Sequence, residues 1–163
     1  MPEEFKARIE YTKFAPEPEV VRSLYAIERY LHDSGLDVKL LHTIKLRASQ
    51  INGCAFCIDM HWKDARAAGE SEQRLYGLDA WRESPYYTDR ERAALEWTES
   101  VTLVSQTHVP DDVFERMRAQ FSEKEIVDLT HAVAMINLWN RLAIPFRAVP
   151  GNYQPKKSSA TAS

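Results

Sequence analysis

Residues 46–61 read LRASQINGCAFCIDMH, and this stretch sets the helical plan of the chain around it. The first part of this stretch completes a run of apolar residues that are spaced as on one face of a helix. The pair Asn52-Gly53 interrupts that pattern, since both residue types tolerate positive φ. A new helical segment begins around Cys54. The sequence therefore predicts two consecutive helices separated by a tight turn, over about residues 37–50 and 54–68.

The rest of the chain also carries helical signals. Apolar residues recur at three- and four-residue spacing, and no useful length alternates apolar and polar residues as a half-buried strand does. The further predicted segments are a helix over 19–32, a short helix and loop over 71–82, and a short helix over 110–118. The capping-box pair Thr88 and Glu91 predicts the start of a long helix that runs through Val104. The pair Ser122 and Glu125 predicts the start of a last helix, which Pro145 ends or kinks. These segments predict an all-α fold.

Length and composition are those of one globular domain. The chain has 163 residues, of which 44% are hydrophobic and 28% are charged, so one compact core is the plain expectation. We predict a single-domain, multi-helix bundle over residues 1–153. Residues 154–163 are rich in Lys, Ser, Thr and Ala, and we predict a disordered tail there.

The charge of the chain argues against two classes of partner. A net charge of -3 at pH 7 creates no general field that would attract nucleic acid or anionic lipid, so we expect neither nucleic acid nor a membrane as a partner. The first residues, MPEEFKARIEYTKF, are charged and resemble neither a signal peptide nor a membrane span. A cytoplasmic location is the default expectation.

The only two cysteines of the chain are Cys54 and Cys57. A pair three residues apart cannot join distant parts of a chain, and two cysteines are too few for a secreted disulfide scaffold. In a reducing compartment, such a local pair is typical of redox chemistry or of metal binding.

His61 adds a third reactive side chain to this helix. At about 100° per residue, it lies about 40° around the helix axis from Cys57 and about 20° from Cys54, so the three side chains share a face. The helix N-terminal dipole, the second thiol and the imidazole each lower a thiol pKa. After one thiol is oxidised to a sulfenic acid, the other condenses with it to a disulfide. The cluster therefore predicts thiol redox chemistry.

Two other interpretations of the cluster stay open. In the first, both cysteines are small core residues and His61 is a hydrogen-bonded structural histidine. In the second, His42 joins the three residues and completes the Cys2His2 set of a tetrahedral zinc site. A well-packed domain of this size has little need of a structural metal ion to stabilise its fold.

The stretch 46–61, the Trp-containing helix from Thr88 and the run INLWNR at residues 136–141 resemble the alkylhydroperoxidase D-like branch of the carboxymuconolactone decarboxylase superfamily. The resemblance implies an all-helical fold that assembles into homo-oligomers, either trimers or hexamers. It also implies a thiol peroxidase that reduces a hydroperoxide and is reduced in turn by a dithiol partner, such as a lipoyl or thioredoxin-like protein. We expect no cofactor and no metal ion in such an enzyme.

Carried over residue by residue, the resemblance makes Cys57 the peroxide-attacking thiolate, Cys54 the more exposed resolving thiol, and His61 a member of a proton relay. One position departs from the pattern. Family members usually carry a glutamate twelve residues before the first cysteine, where this chain has His42.

His42 has three interpretations. A histidine accepts and passes a proton near neutral pH, so His42 is a candidate relay residue. Alternatively, the missing carboxylate deprives His61 of an orienting anion, which predicts weaker peroxidase activity or a different substrate. In the third interpretation, His42 is a solvated helix residue beside Lys45.

Three other functions remain as alternatives. A disulfide reductase or thiol oxidoreductase uses the same thiols without appreciable reaction with peroxide. A decarboxylase of a lactone ring, the activity in the superfamily name, needs acid–base groups rather than a thiol pair. A non-enzymatic zinc or interaction module would hold about one equivalent of zinc.

The remaining polar and aromatic candidates are weaker. Three histidines have no partner at motif spacing, and we expect structural roles for them: His32, His108 and His131. Three polar residues of the last helix are candidates for a subunit contact or for the pocket: Asn137, Asn140 and Arg141. Trp97 and Trp139 are expected to pack in the core or in an interface.

Overall fold

The computed structural model describes residues 5–13 and 18–155, and every regular element in these two ranges is a helix. The helices are α1 (Pro18–Asp33), α2 (Val38–Asn52), α3 (Ala55–Ala67), α4 (Glu72–Tyr76), α5 (Asp89–Thr102), α6 (Val104–Thr107), α7 (Asp111–Gln120) and α8 (Glu123–Phe146), with a 3-10 turn over Leu78–Ala80. The prediction of an all-α, single-domain fold is confirmed. None of the helices in this part of the chain has the length and apolar character needed to cross a membrane.

Helix α2 runs through the centre of the bundle and packs against α3, α5 and α8. It contributes to three apolar clusters in succession. Ile44 belongs to a large core shared with α1, α5, α7 and α8, whereas Leu46 belongs to a second core shared with α3, α4 and α5. Ala48 joins a third cluster that holds both cysteines. Full burial of a side chain such as Leu46 stabilises the fold by roughly 2 kcal/mol, so α2 is anchored along most of its length.

Both predicted capping boxes are present. The Thr88 hydroxyl accepts from the N–H of Glu91, whose carboxylate accepts from the N–H of Thr88 at 2.8 Å. Ser122 and Glu125 make the same reciprocal pair at the start of α8. These local hydrogen bonds satisfy N–H groups that a helix leaves free at its start, which explains why the sequence alone located the beginnings of α5 and α8.

Helix α5 is shorter than the sequence predicted. It ends at Thr102 instead of running through Val104, because Leu103 leaves the helical region with φ -100° and ψ 34°. The short helix α6 then begins at Val104. The Thr107 hydroxyl donates to the carbonyl oxygen of Ser100 at 2.7 Å and so ties α6 back to α5.

Pro145 lies inside the last turn of α8, and the helix ends one residue later at Phe146. Arg147 then adopts the left-handed conformation with φ 55°. The prediction that Pro145 marks the end of the last helix is therefore confirmed.

Of the predicted disordered tail, residues 156–163 lie outside the described ranges, and the disorder stays a prediction.

The turn between α2 and α3 consists of Gly53 and Cys54. Gly53 has φ 70° and ψ 34°, a left-handed conformation that glycine adopts without a Cβ penalty. The preceding Asn52 donates from Nδ2 to the Oδ1 atoms of Asn137, at 3.0 Å, and Asn140, at 2.8 Å, both on α8. Backbone conformation and contacts to α8 together fix the point at which the chain reverses.

Replacing Gly53 by Ala tests this turn. A Cβ at Gly53 meets no heavy atom within 4 Å, so the cost is conformational, and we expect Gly53→Ala to lower the free energy of unfolding by roughly 1 kcal/mol in urea denaturation. Gly77→Ala is the matched control, since Gly77 has φ -95° and its Cβ would meet nothing closer than 4.0 Å. Equal losses in the two variants would contradict the role of the left-handed turn.

Candidate functional site

Both cysteines lie at the start of α3, and they form a disulfide bond with their Cα atoms 5.3 Å apart. Cys54 is the N-cap residue, and its sulfur accepts from the N–H of Cys57 at 3.4 Å. The sulfurs therefore lie where the helix dipole is positive, a position that favours thiolates in the reduced form. The predicted helical placement of the pair is confirmed. In the disulfide form, the Cys2His2 zinc set is not available, because the two sulfurs are bonded to each other.

The expectation that Cys54 is the more exposed thiol is wrong for this chain. Cys54 and Cys57 are each only 1% exposed. They lie in an apolar cluster formed with Ala48, Ile136 and Ala143, against which Phe56, Trp139 and Ala148 pack. Side chains from α2 and α8 cover the sulfurs, and the local sequence around the cysteines contains no sign of this cover.

A small cavity nevertheless distinguishes the two cysteines. It has a volume of about 220 Å³ and reaches Cys54. Its walls are mainly apolar, with one cationic side chain: Phe5, Ala55, Phe56, Ala143, Ile144, Arg147 and Ala148. Access to the disulfide from this side therefore leads to Cys54.

His61 and His42 face each other across the contact between α3 and α2, with ring centroids 6.0 Å apart. The Nδ1 atom of each ring is buried and has no hydrogen-bond partner among the described residues. Burial, followed by the nearby charge of Lys45, lowers the pKa of His42 to about 4 and that of His61 well below its usual value of 6.5. Both rings are therefore neutral at pH 7. The structure brings these two predicted site residues together.

Lys45 carries a buried positive charge close to the two histidines, and sequence reasoning did not select it. It is 7% exposed, and its ammonium group is paired with the carboxylate of Glu28 on α1. The other oxygen of Glu28 accepts from Nε1 of Trp139 at 3.0 Å. This ion pair offsets the cost of burying the lysine, which would be high for an unpaired charge.

Asp64 is the carboxylate that the sequence analysis missed. Its Oδ2 atom lies 4.0 Å from Nδ1 of His61, which is too long for a hydrogen bond but close enough for electrostatic contact. Its Oδ1 atom accepts from the hydroxyl of Tyr153 at 2.7 Å. Burial raises the pKa values of both Asp64 and Tyr153. The i, i+3 spacing of His61 and Asp64 on one helix was a signal that could have located this residue.

The segment that carries Tyr153 is held against α3 by two charged side chains. Nζ of Lys63 donates to the carbonyl oxygens of Gly151, at 3.0 Å, and Tyr153, at 3.1 Å. The N–H of Gly151 donates to Oδ2 of Asp59 at 3.1 Å. The chain after α8 thus returns to the site, although no local sequence pattern connects it to α3.

The other candidates differ in their burial. Asn140, a predicted candidate for a subunit contact or for the pocket, is fully buried and donates to the Ser49 hydroxyl at 3.2 Å, which leaves none of its surface exposed for a subunit contact. Trp97 is packed in the large core, as predicted, and Trp139 packs against the same core. The three remaining histidines are exposed: His32, His108 and His131.

Comparison with known proteins agrees with this geometry. The model of the carboxymuconolactone decarboxylase family matches residues 18–100, which include α2, α3 and the cysteine pair. The chain belongs to the carboxymuconolactone decarboxylase family. The uncharacterized protein YdfG of Bacillus subtilis (strain 168) is 44% identical over 137 residues, which are 84% of this chain and 92% of that protein.

One crystal structure relates the chain to the alkylhydroperoxidase D-like branch of this family, and a second one is similar in fold. One is a protein of unknown function from Agrobacterium tumefaciens, assigned provisionally to the antioxidant defence protein AhpD. It is 49% identical, with a TM-score of 0.85 over 91% of this chain and 100% of that one. The other is an uncharacterized peroxidase-related protein from Silicibacter sp. TM1040. It is 22% identical, with a TM-score of 0.75 over 86% of this chain and 74% of that one. This similarity concerns the fold alone.

The two neutral histidines predict that the protein loses stability in acid. Near pH 6.5 the unfolded chain begins to bind protons on histidines, whereas folded His42 resists protonation down to a pKa of about 4 and His61 resists it further. We therefore expect the free energy of unfolding, measured in urea, to fall as the pH decreases from about 7 to about 5. The double variant His42→Gln, His61→Gln should show a smaller decrease.

The exposed His131 provides the control for this experiment, because His131→Gln removes a histidine from outside the site. This control should keep the decrease of the wild type. An unchanged decrease in the double variant would contradict the assignment of the effect to His42 and His61.

Proposed function

We propose that this protein is a thiol-dependent hydroperoxide reductase that cycles between the dithiol and disulfide forms of Cys54 and Cys57. The observation that carries the proposal is the disulfide at the N-terminus of α3, one helical turn before the neutral imidazole of His61. The site combines a thiol pair that can store two electrons with a base that can take the thiol proton. Membership of the alkylhydroperoxidase D-like branch supports the same activity.

In the proposed reaction, the thiolate of Cys57 attacks an oxygen of the hydroperoxide. A sulfur–oxygen bond forms, the oxygen–oxygen bond breaks, and the departing alkoxide takes a proton to become an alcohol. Cys54 then attacks the sulfenic acid on Cys57, the disulfide forms, and water leaves. Each hydroperoxide thus consumes two thiols.

His61 is the proposed acceptor of the Cys57 proton. Its ring is neutral at pH 7 and so has a free lone pair that can take the thiol proton and later return one to the leaving alkoxide, but burial disfavours the protonated ring, which therefore needs a neighbouring anion. Asp64 supplies the negative charge that stabilises the protonated ring. It thus takes the role of the orienting anion that this chain lacks at position 42. His42, 6.0 Å from His61 between ring centroids, is the proposed next member of the relay.

An external dithiol is the proposed reductant. Thiol–disulfide exchange requires a sulfur of the disulfide to be reached in line by the attacking thiolate, and the cavity leads to Cys54. A lipoyl or thioredoxin-like protein has the required chemistry. Assembly into a trimer or a hexamer stays a proposal that rests on the family resemblance.

Thiol counting after addition of hydroperoxide tests the proposed cycle. With reduced wild-type protein and one equivalent of an organic hydroperoxide, we expect both thiols to disappear as an intramolecular disulfide. Cys54→Ser should stop at a sulfenic acid on Cys57, detectable by mass spectrometry with a sulfenic-acid trapping reagent. Cys57→Ser should show no peroxide-dependent reaction.

Other outcomes of this experiment identify the alternative functions. Thiols that persist in peroxide but are oxidised by a disulfide substrate would indicate a disulfide oxidoreductase. A sulfenic acid trapped on Cys54 in the Cys57→Ser variant would reverse the two cysteine roles. Lactone decarboxylation that survives Cys57→Ser would favour acid–base chemistry over thiol chemistry.

Removal of the Asp64 charge tests the proposed relay. A unit charge at 4 Å contributes about 1 kcal/mol in water and about 4 kcal/mol at the effective dielectric near a protein surface. We therefore expect Asp64→Asn to slow peroxide-dependent thiol oxidation by roughly tenfold in stopped-flow measurements. Its pH profile should also shift, because protonated His61 loses its anion.

Asp59→Asn is the matched control on the same helix. Asp59 bonds Lys63 and the N–H of Gly151, so its loss affects the C-terminal segment without removing the carboxylate beside His61. Equal slowing in the two variants would show that Asp64 acts only through the position of this segment.

A further inference from the structure

We propose that His42, His61 and Asp64 form a binding site for a divalent transition-metal ion of the Zn²⁺ type. We call these three residues the His–His–Asp cluster. The site differs from the zinc set that the sequence suggested, because it replaces both cysteine ligands with a carboxylate. The proposal does not depend on the peroxidase activity.

The three side chains already converge. One nitrogen from each histidine and one carboxylate oxygen lie within 4.8 Å of one another, although His42 comes from α2 and the other two come from α3. Two imidazoles and a carboxylate are a ligand set that zinc and other divalent transition metals accept, with further coordination positions left for water. Small rotations of the side chains around a central ion would bring the three donors to bonding distance.

The unpartnered ring atoms point to a missing ligand. Nδ1 of His42 and Nδ1 of His61 are both buried and make no hydrogen bond within the part of the chain that the structure describes, and His61 as a whole is only 6% exposed. A buried polar atom without a partner destabilises a fold, so two such atoms on adjacent rings need an explanation. A metal ion satisfies both lone pairs at once.

Tyr153 supplies the support that a metal-binding carboxylate requires. Its hydroxyl donates to Oδ1 of Asp64 at 2.7 Å, while Oδ2 is the oxygen on the side of His61. Carboxylate ligands are commonly held by such outer hydrogen bonds, which orient the remaining oxygen toward the ion. Tyr153 is itself held against α3 through Lys63.

The charges around the cluster are compatible with a cation. Lys45 is the cation whose charge lowers the pKa values of both histidines, but its ammonium group is paired with Glu28. The two histidines are neutral at pH 7, which is the form that ligates metals, and Asp64 offers the negative charge.

An ion at this site and the proton relay exclude each other. A neutral imidazole has one free lone pair, and a metal bond would occupy it on both rings. The metal-bound protein would therefore lack the base that the proposed thiol chemistry uses.

Metal titration of the disulfide form tests the site without a contribution from thiolates. We expect isothermal titration calorimetry with Zn²⁺ at about pH 7 to show one ion per chain, and Co²⁺ to show visible bands without the intense ultraviolet band of a cobalt–thiolate bond. His42→Gln and Asp64→Asn should abolish stoichiometric binding. Tyr153→Phe, which removes only the outer hydrogen bond, should weaken binding by about tenfold or more.

His131→Gln and circular dichroism melting provide the controls. His131 is exposed and lies outside the cluster, so its replacement should leave the affinity unchanged. Melting curves establish that each variant is folded. Since neither heat of binding nor cobalt absorption reports peroxide turnover, failure here would leave the proposed peroxidase untouched, and a failed peroxidase assay would leave this site untouched.

Three results would overturn the proposal. The first is absence of stoichiometric binding to the folded disulfide form. The second is binding that appears only after reduction and with a thiolate band, which would assign the ion to the cysteines. The third is undiminished binding in the folded His42→Gln and Asp64→Asn variants, which would assign it to a surface site.

Discussion

The reversal of the chain at Gly53 is the constraint on which the site depends. Because only two residues separate α2 from α3, the second helix must run back along the first, and residues on either side of the turn meet in pairs. This reversal brings His42 to His61 and makes Cys54 the N-cap residue of α3. Asn52 secures the turn to α8 through two amide hydrogen bonds, so the position of the cysteines depends on the packing of a helix distant in sequence.

Burial determines the chemistry of this site as much as residue identity does. An imidazole in water is partly protonated near neutral pH, but desolvation and the charge of Lys45 keep both His42 and His61 neutral. The same lysine would be costly in the interior without Glu28. The buried ion pair and the neutral rings are therefore parts of one electrostatic arrangement, in which a fixed positive charge opposes protonation of the neighbouring bases.

The replacement of the usual family glutamate by His42 has a structural counterpart in Asp64. A carboxylate is still present beside His61, but it comes from the next turn of α3 rather than from α2. The result is a cluster of two imidazoles and one carboxylate, in which α2 contributes an imidazole and α3 contributes the carboxylate. This change in donor set keeps a base and an anion together, and it also creates the ligand combination of a metal site.

The sequence by itself determined the helical class of the fold. It also determined the starts of α5 and α8 and the position of the cysteine pair at the start of a helix, because capping boxes and the CxxC motif involve residues less than one helical turn apart. Spacing to the cysteines also identified His61 as a candidate, whereas His42 became a relay candidate through the resemblance to the family. Only the tertiary structure decided that the cysteines are buried and that Tyr153 holds Asp64. The burial of the cysteines depends on which helices pack against the start of α3. The bond to Asp64 depends on a residue 89 positions away along the chain. Such long-range contacts cannot be predicted from a local pattern of residues.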